Sequence, residues 1–121
     1  IIIINQTGDR EMNNLIKNEI RLYSNTDSEN IYNLKVNTDY KKEVLTKDAS
    51  GVITDYTLSV KSTFTIDIKG KTKVLQFVEK MDIRNQTDSF EQSMYEKNIK
   101  RNFASSIREK LVTAILEIND N

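Results

Sequence analysis

The side chains that support most enzyme chemistry are missing from this sequence. It contains no histidine, cysteine or tryptophan, which excludes imidazole and thiolate metal sites, Ser-His and Cys-His nucleophile pairs, and disulfide bonds. Ser59, Lys61 and Ser62 have the residue types of a Ser-Lys nucleophile pair, but Ser59 and Lys61 occupy regular polar positions of a predicted strand. We therefore predict no catalytic residue, no metal site and no cofactor.

Other short motifs have simpler structural explanations. The segment Asp48-Ala49-Ser50-Gly51 has a carboxylate and a glycine, as calcium loops do, but the later carboxylates of such loops are absent and a turn accounts for it. Two triplets match the N-glycosylation pattern, Asn5-Gln6-Thr7 and Asn85-Gln86-Thr87, and we interpret both as chance matches in an asparagine-rich chain. The motifs therefore nominate no active site.

Composition restricts the class of partner. The chain has 121 residues, of which 37% are hydrophobic and 30% charged, and this predicts one water-soluble domain over residues 1–121. Lys+Arg and Asp+Glu both total 18, so the positive field that attracts nucleic acid is missing. No segment is apolar over the roughly 20 residues of a membrane span. Because the chain begins with Ile1 rather than Met, we expect a processed N-terminus, with any membrane tether before it.

The first part of the chain reads as a strand followed by a helix. Residues 1–4 are β-branched and predict a strand buried on both faces, ended by a turn through Asn5-Gln6-Thr7-Gly8. Helical spacing of apolar residues starts after Asp9, whose charge suits a helix N-terminus. The apolar positions of this predicted helix are Met12, Leu15, Ile16, Ile20, Leu22 and Tyr23. Residues 24–30 contain no apolar side chain and predict a loop.

Alternating patterns then predict three antiparallel strands. The first has Tyr32, Leu34, Val36, Thr38 and Tyr40 on one face, and it ends at a turn cluster that closes with Gly51. The second is the clearest, and only Ser62 interrupts its inward row of Tyr56, Leu58, Val60, Phe64, Ile66 and Ile68. A reversal at Lys69-Gly70-Lys71 leads to the third, whose inward row is Leu75, Phe77, Met81 and Ile83 with the charged Glu79 among them.

A long helix from about Ser89 to Ile118 follows capping residues at Thr87-Asp88-Ser89. Its predicted apolar stripe is Phe90, Met94, Tyr95, Ile99, Phe103, Ile107, Leu111, Ala114, Ile115 and Ile118. One-sided strands and helices predict an α+β two-layer sandwich, with two helices packed on one face of a four-stranded mixed, largely antiparallel sheet. We expect the stretch from Tyr95 to Leu111 to pack on Leu58, Val60, Phe64 and Ile66.

This topology gathers basic residues at one end of the sheet. Strand ends bring Lys41, Lys42, Lys47 and Arg84 together, and the long helix begins there with Lys97, Lys100 and Arg101 in its first turns. The combination predicts an anion site at this tip. The alternative is that lysine and arginine at strand ends serve solubility and blunt the sheet edges, with Glu43 and Asp48 diluting the charge.

The order of elements resembles the LPS-assembly lipoprotein E (LptE) family, outer-membrane lipoproteins that sit inside the LptD β-barrel. Two phrases of the final helix carry the resemblance, Phe90-Glu91-Gln92-Ser93-Met94-Tyr95-Glu96-Lys97 and Ile107-Arg108-Glu109-Lys110-Leu111. Asp55-Tyr56-Thr57-Leu58-Ser59-Val60 is similar to the family's strand after the glycine turn. The resemblance covers the chain from Asn13 onward. The lipidated cysteine of the family is absent from the sequence, and Val52 stands where some members have a basic residue.

The resemblance implies a non-enzymatic role in lipopolysaccharide transport, as plug and assembly partner of an LptD-like barrel. It also implies an N-terminal lipid anchor and a place on the periplasmic side of the outer membrane. Lipopolysaccharide phosphates would meet the basic tip, at Lys42, Lys47 and Arg84. Two other classes stay open from the residues alone: a generic periplasmic binding or assembly module without a barrel partner, and a small hydrolase whose active site uses carboxylates or lysine only.

Overall fold

The computed structural model describes residues 2–23, 33–68 and 70–119. Its elements are β1 (Ile2–Gly8), α1 (Arg10–Tyr23), β2 (Asn33–Lys47), β3 (Ile53–Ile68), β4 (Lys71–Arg84) and α2 (Ser89–Asn119). Some predictions concern residues or side chains outside this description. They are the loop at 24–30, the burial of residues 1–4, the inward positions of Tyr23 and Tyr32, and the turn position of Lys69.

The strands form one sheet in the order β1-β2-β3-β4. β1 runs parallel to β2, because α1 carries the chain back between them, while β2, β3 and β4 form an antiparallel meander. With both helices against one face, this confirms the predicted α+β fold class. β1 begins beside Asn33, so it enters at the end of the sheet opposite the β2–β3 turn.

The turn predicted at residues 5–8 is wrong. Gln6, Thr7 and Gly8 continue β1 and pair with Val36, Asn37 and Thr38, because backbone bonding to β2 outweighs the turn preference of these residues. The chain changes direction at Gly8 and Asp9, at the end of β1. Gly8 has a φ of 89°, and a Cβ there would collide with the carbonyl oxygen of Thr38. That oxygen accepts a hydrogen bond from the Asp9 amide at 2.7 Å.

Helix α1 begins with a carboxylate cap and buries one stripe. Asp9 accepts a hydrogen bond from the Met12 amide at 2.9 Å, which satisfies a first-turn donor. Met12, Ile16 and Ile20 are buried as predicted, but Leu22 is 72% exposed. Leu22 follows Ile20 by two positions, a rotation of about 200° around the helix, so it points away from the sheet.

The inward row of β3 confirms the alternating pattern. Its core members Leu58, Val60, Phe64, Ile66 and Ile68 are buried in one cluster with residues of both helices. Ser62, which interrupts the row, is also buried, and its hydroxyl shares a 2.9 Å hydrogen bond with that of Thr38 on β2. On β4, which is an edge strand, Ile83 is buried and Leu75 and Phe77 are half-buried, whereas Met81 is 42% exposed.

Helix α2 packs through its middle and its C-terminal half. Ile99, Phe103, Ile107 and Leu111 are buried as predicted, but Tyr95 is 39% exposed, and Phe90 and Met94 are exposed as well. Residues four apart rotate by about 40° around a helix at each step. The buried row from Ile99 to Ile115 already turns through about 160°, so Tyr95, one step before it, leaves the sheet. Gln92 takes the buried position there.

Candidate functional site

The β2–β3 hairpin ends in a turn organised by one carboxylate. Asp48 Oδ1 accepts hydrogen bonds from the Ser50 hydroxyl at 2.6 Å, the Ser50 amide at 2.9 Å and the Val52 amide at 3.0 Å. The Ser50 hydroxyl, followed by the amides, lowers the pKa of the Asp48 carboxyl. Gly51 has a φ of 88°, which favours glycine. The segment is a turn, as its sequence predicts.

Lys47 and Arg84 flank this hairpin on β2 and β4. Lys47 is exposed opposite Ile53, and Arg84 is exposed opposite Asp55 on the neighbouring strand. Hydrogen bonds from Thr46 and Thr54, together with the charge of Arg84, lower the pKa of the Asp55 carboxyl. Arg84 therefore has a negative neighbour, whereas the described residues give Lys47 no ion pair.

Lys42 lies on the face that the helices cover. Its ammonium is 2.9 Å from Glu96 of α2 and 4.3 Å from the centre of the Tyr56 ring. The same Glu96 oxygen accepts a hydrogen bond from Gln92 at 2.9 Å, and Gln92 in turn accepts one from the Gln86 amide at 2.7 Å. Lys42 is thus neutralised by a carboxylate that is itself held in place.

The N-terminus of α2 is occupied by its own cap. Asp88 Oδ1 accepts hydrogen bonds from the Phe90 amide at 2.8 Å and the Glu91 amide at 3.1 Å, which confirms Asp88 as a capping residue. An external anion at this helix end would compete with a covalently attached carboxylate. The helix terminus therefore adds less to the basic tip than the sequence suggested.

A cleft of about 490 Å³ lies between α2, β2 and the start of α1. Lys100 lines it, and its ammonium is 3.0 Å from Glu11 and 4.6 Å from the centre of the Tyr40 ring. The Tyr40 hydroxyl is buried and has no hydrogen-bond partner among the described residues. Burial, and then the negative charges of Glu96, Glu11 and Asp9, raise the pKa of Tyr40 to about 12. The cleft holds cations and carboxylates together.

The structure therefore separates the basic residues that the sequence predicted to lie together at the tip. Lys42 faces the helices and Lys41 faces the other side of the sheet, so alternation separates neighbours that the topology argument had grouped. Lys42 lies opposite Leu58 and Arg84 opposite Asp55, three residues apart along β3 or about 10 Å. Sequence reasoning missed Glu96 as the partner of Lys42, although Gln92 and Glu96 are four apart, the spacing at which helix side chains meet.

The face of the sheet away from the helices, called here the open face, consists mostly of polar side chains. Side-chain hydrogen bonds cross between neighbouring strands on it, and they include Thr7 to Asn37 at 2.8 Å, Thr57 to Asp82 at 2.7 Å, Gln76 to Thr63 at 3.3 Å and Thr72 to Asp67 at 2.9 Å. These bonds fix short side chains without an apolar cover.

Lysines stand at the centre of the open face. Lys41 and Lys80 lie on either side of Ser59 in one cross-strand row, and Lys61 is two residues further along β3. They line a depression of about 320 Å³ with Asp39, Glu43 and Val78. None of the three lysines forms an ion pair with another residue in the described part of the chain. Charged groups here are open to a partner.

Nothing in the described residues assembles a reaction centre. They contain no group of three acidic, histidine or cysteine side chains able to hold a metal ion, and none of their helices could span a membrane. Ser59 has lysine neighbours, but it sits on the open face without a base hydrogen-bonded to its hydroxyl.

Comparison with solved structures identifies the fold. Rare lipoprotein B from Shewanella oneidensis aligns over 98% of this chain and 99% of its own, with a TM-score of 0.68 and 14% sequence identity. The chain shares the fold of this lipoprotein structure. A minor lipoprotein from Acinetobacter baumannii aligns over 91% of this chain and 93% of its own, with a TM-score of 0.59 and 13% identity.

A lipoprotein candidate from Caulobacter crescentus has a TM-score of 0.67 at 10% identity, over 98% of this chain and 92% of its own. None of these three structures has a name that describes an enzyme. No family model matches the sequence, and no curated protein matches it either. The likeness is therefore one of fold.

Proposed function

We propose that this chain is a non-enzymatic outer-membrane lipoprotein of lipopolysaccharide transport and assembly, which acts as plug and assembly partner of an LptD-like β-barrel. In this proposal a lipid attached ahead of β1 holds it on the periplasmic side. The observation that carries the proposal is the open face. It is mostly polar and uncovered by any described element, although the sheet is long enough to have carried a second layer.

Two further observations support a barrel as the partner. The fold is shared with lipoprotein structures over nearly the whole chain, and the sequence phrases of α2 resemble the LptE family. A hydrated barrel lumen presents polar side chains, and a sheet face of hydrogen-bonded threonine, asparagine, aspartate and glutamine side chains is suited to meet such a wall.

Co-purification from outer membranes tests the barrel partner. The intact protein should recover a large β-barrel, and Lys41→Glu with Lys80→Glu should lower that recovery at least tenfold, about 1.4 kcal/mol. The matched control is Lys17→Glu with Arg101→Glu, two exposed cations on the helices with the same charge change. Repeated recovery of only soluble periplasmic proteins would favour the generic periplasmic module, and equal recovery by both variants would reject the open face as the contact.

The lipopolysaccharide contact is part of the same proposal and is placed at Lys47, Arg84 and Lys42. Lys47 and Arg84 are exposed and ready to meet phosphate, whereas a phosphate that reaches Lys42 must displace Glu96. Lys47→Glu with Arg84→Glu should therefore weaken lipopolysaccharide binding more than Lys42→Glu, and the difference should shrink at high salt. If a folded variant with all three substitutions binds lipopolysaccharide as well as the intact protein at low salt, the basic residues of the tip serve only solubility.

A further inference from the structure

We propose that two copies of the free chain pair through the outer edges of β4, antiparallel to each other, with Gln76 facing Gln76 across a two-fold axis. β4 is the last strand of the sheet, and its outer edge has no partner strand among the described residues. The interaction is independent of the barrel partner proposed above, because it concerns the isolated protein.

The backbone of β4 shows which residues offer their hydrogen-bonding groups. Beyond the end of β4, the Asn85 amide donates to the Thr54 carbonyl at 2.9 Å, so odd-numbered residues direct their backbone groups toward β3. The pairing of β3 with β4 contains no bulge from Asp55 to Ile68. The even-numbered residues Thr72, Val74, Gln76, Val78, Lys80 and Asp82 therefore present their amides and carbonyls to the free edge.

The opposite edge of the sheet is protected. β1 covers β2 from Asn33 to Thr38, and the remainder of β2 has register irregularities between Val44 and Thr46 and between Thr46 and Lys47. Bulges and short edge strands are the usual means of preventing strand addition. β4, with 14 residues and regular pairing, has neither.

The sequence of β4 is complementary to itself around Gln76. With the two-fold axis there, Val74 lies opposite Val78 and Leu75 opposite Phe77. Lys73 then lies opposite Glu79 of the second copy, which already contacts Lys110 of its own chain. An axis at Val78 would instead place Phe77 opposite Glu79 and Val74 opposite Asp82. Only the register at Gln76 matches apolar with apolar residues and opposite charges with each other.

These pairs also favour a second copy over a foreign strand. Lys71, Lys73 and Lys80 give the edge a positive charge that discourages general strand addition. A copy of the same strand brings the matching Glu79 at the required position, and does so twice because the contact is isologous. The axis is perpendicular to the sheet, so the helices of both copies stay on one face and the open faces join.

Single cysteines test the register, since the chain has none of its own. A residue on the axis lies about 5.5 Å from its copy, Cα to Cα, within disulfide range. Residue 78 lies two positions from the axis, and its copies are about 14 Å apart. With an oxidant present, the intact Gln76→Cys chain should convert mainly to a covalent dimer, and the Val78→Cys chain should stay monomeric. Both positions are exposed, and circular dichroism checks the fold.

A second pair of variants tests the charge match. Added to Gln76→Cys, Lys73→Glu should lower the rate of dimer formation at least fivefold, because it places like charges opposite each other twice. Lys71→Glu, the same change opposite Met81, should lower it less than twofold. The proposal is overturned if Gln76→Cys stays monomeric, if Val78→Cys forms dimers as fast, or if the two charge variants behave alike.

Discussion

The two faces of the sheet treat their charges differently. On the helix-covered side, Lys42, Lys100 and Lys110 each contact a glutamate on another element. On the open face, Lys41, Lys61 and Lys80 form no ion pair with the described residues. Burial penalises an unpaired charge, so the side chains near the core are paired, while charges on the open face remain in water. The difference distinguishes a face shaped by folding from a face available for binding.

The largest expected contrast is in apolar burial. Phe103 is 6% exposed within the core cluster, and Phe103→Ala should lower the free energy of unfolding by about 3–5 kcal/mol. Val78 on the open face is 45% exposed, and Val78→Ala should change it by less than about 0.5 kcal/mol. Urea unfolding of both variants measures the contrast. Equal effects would show that α2 is not a core element.

The buried hydroxyl pair should have the next largest effect. Thr38→Val leaves the Ser62 hydroxyl buried without its partner, at a loss of about 1–3 kcal/mol. Thr38→Val with Ser62→Ala removes both polar groups and should regain much of that loss. Thermal or chemical unfolding of the two single variants and the double variant completes the cycle. Additive losses would contradict a direct contact between these hydroxyls.

Tyr40 gives the covered face a pH dependence. Its pKa is about 12 in the folded protein against 10.0 ordinarily, so the folded state keeps a proton that the unfolded chain releases. Stability should therefore be full below pH 10 and fall progressively as pH rises toward 12. Tyr40→Phe should abolish this fall with little cost at neutral pH, because the hydroxyl has no partner among the described residues. Identical alkaline unfolding of the two proteins would refute this role.

The smallest effect should separate two adjacent lysines. Lys42→Met removes the contact with Glu96 and should lower the free energy of unfolding by about 0.2–1 kcal/mol, an effect that salt reduces. Lys41→Met, one position away on the open face, should leave it unchanged within error. Unfolding at two salt concentrations provides the measurement. A larger loss from the Lys41 variant would reverse the assignment of faces.

The regular patterns predicted the fold because they extend over many residues. Alternation over β3 and the apolar stripe of α2 each repeat often enough that tertiary context did not override them. The prediction of a turn at residues 5–8 is wrong because pairing with β2 stabilises β1. The conformational preferences of single residues carry no information about such pairing. Leu22, Met81 and Tyr95 were misassigned at the ends and edges of elements, where small rotations or a missing neighbour decide burial.

The candidate site was harder to predict than the fold. Strand ends do meet where the topology places them, but alternation places Lys41 and Lys42 on opposite faces. Lys42 then forms an ion pair with Glu96, which is 54 residues away in the chain. Such a pairing depends on the angle at which α2 crosses the sheet. No spacing in the sequence encodes that angle, so the ion pairs had to be found in the structure.

The direction of β1 sets how far the protein can reach. β1 enters beside Asn33, and Lys47 is 14 residues further along β2, a distance of about 45 Å. For a chain tethered ahead of β1, as proposed, the hairpin turn would then lie at the far end of the sheet, remote from the bilayer that holds the tether. Anionic headgroups in the leaflet that holds the tether would lie out of reach of Lys47. A fluorophore at Val52 of the lipidated protein should escape quenching by nitroxide lipids that quench one at Asn5.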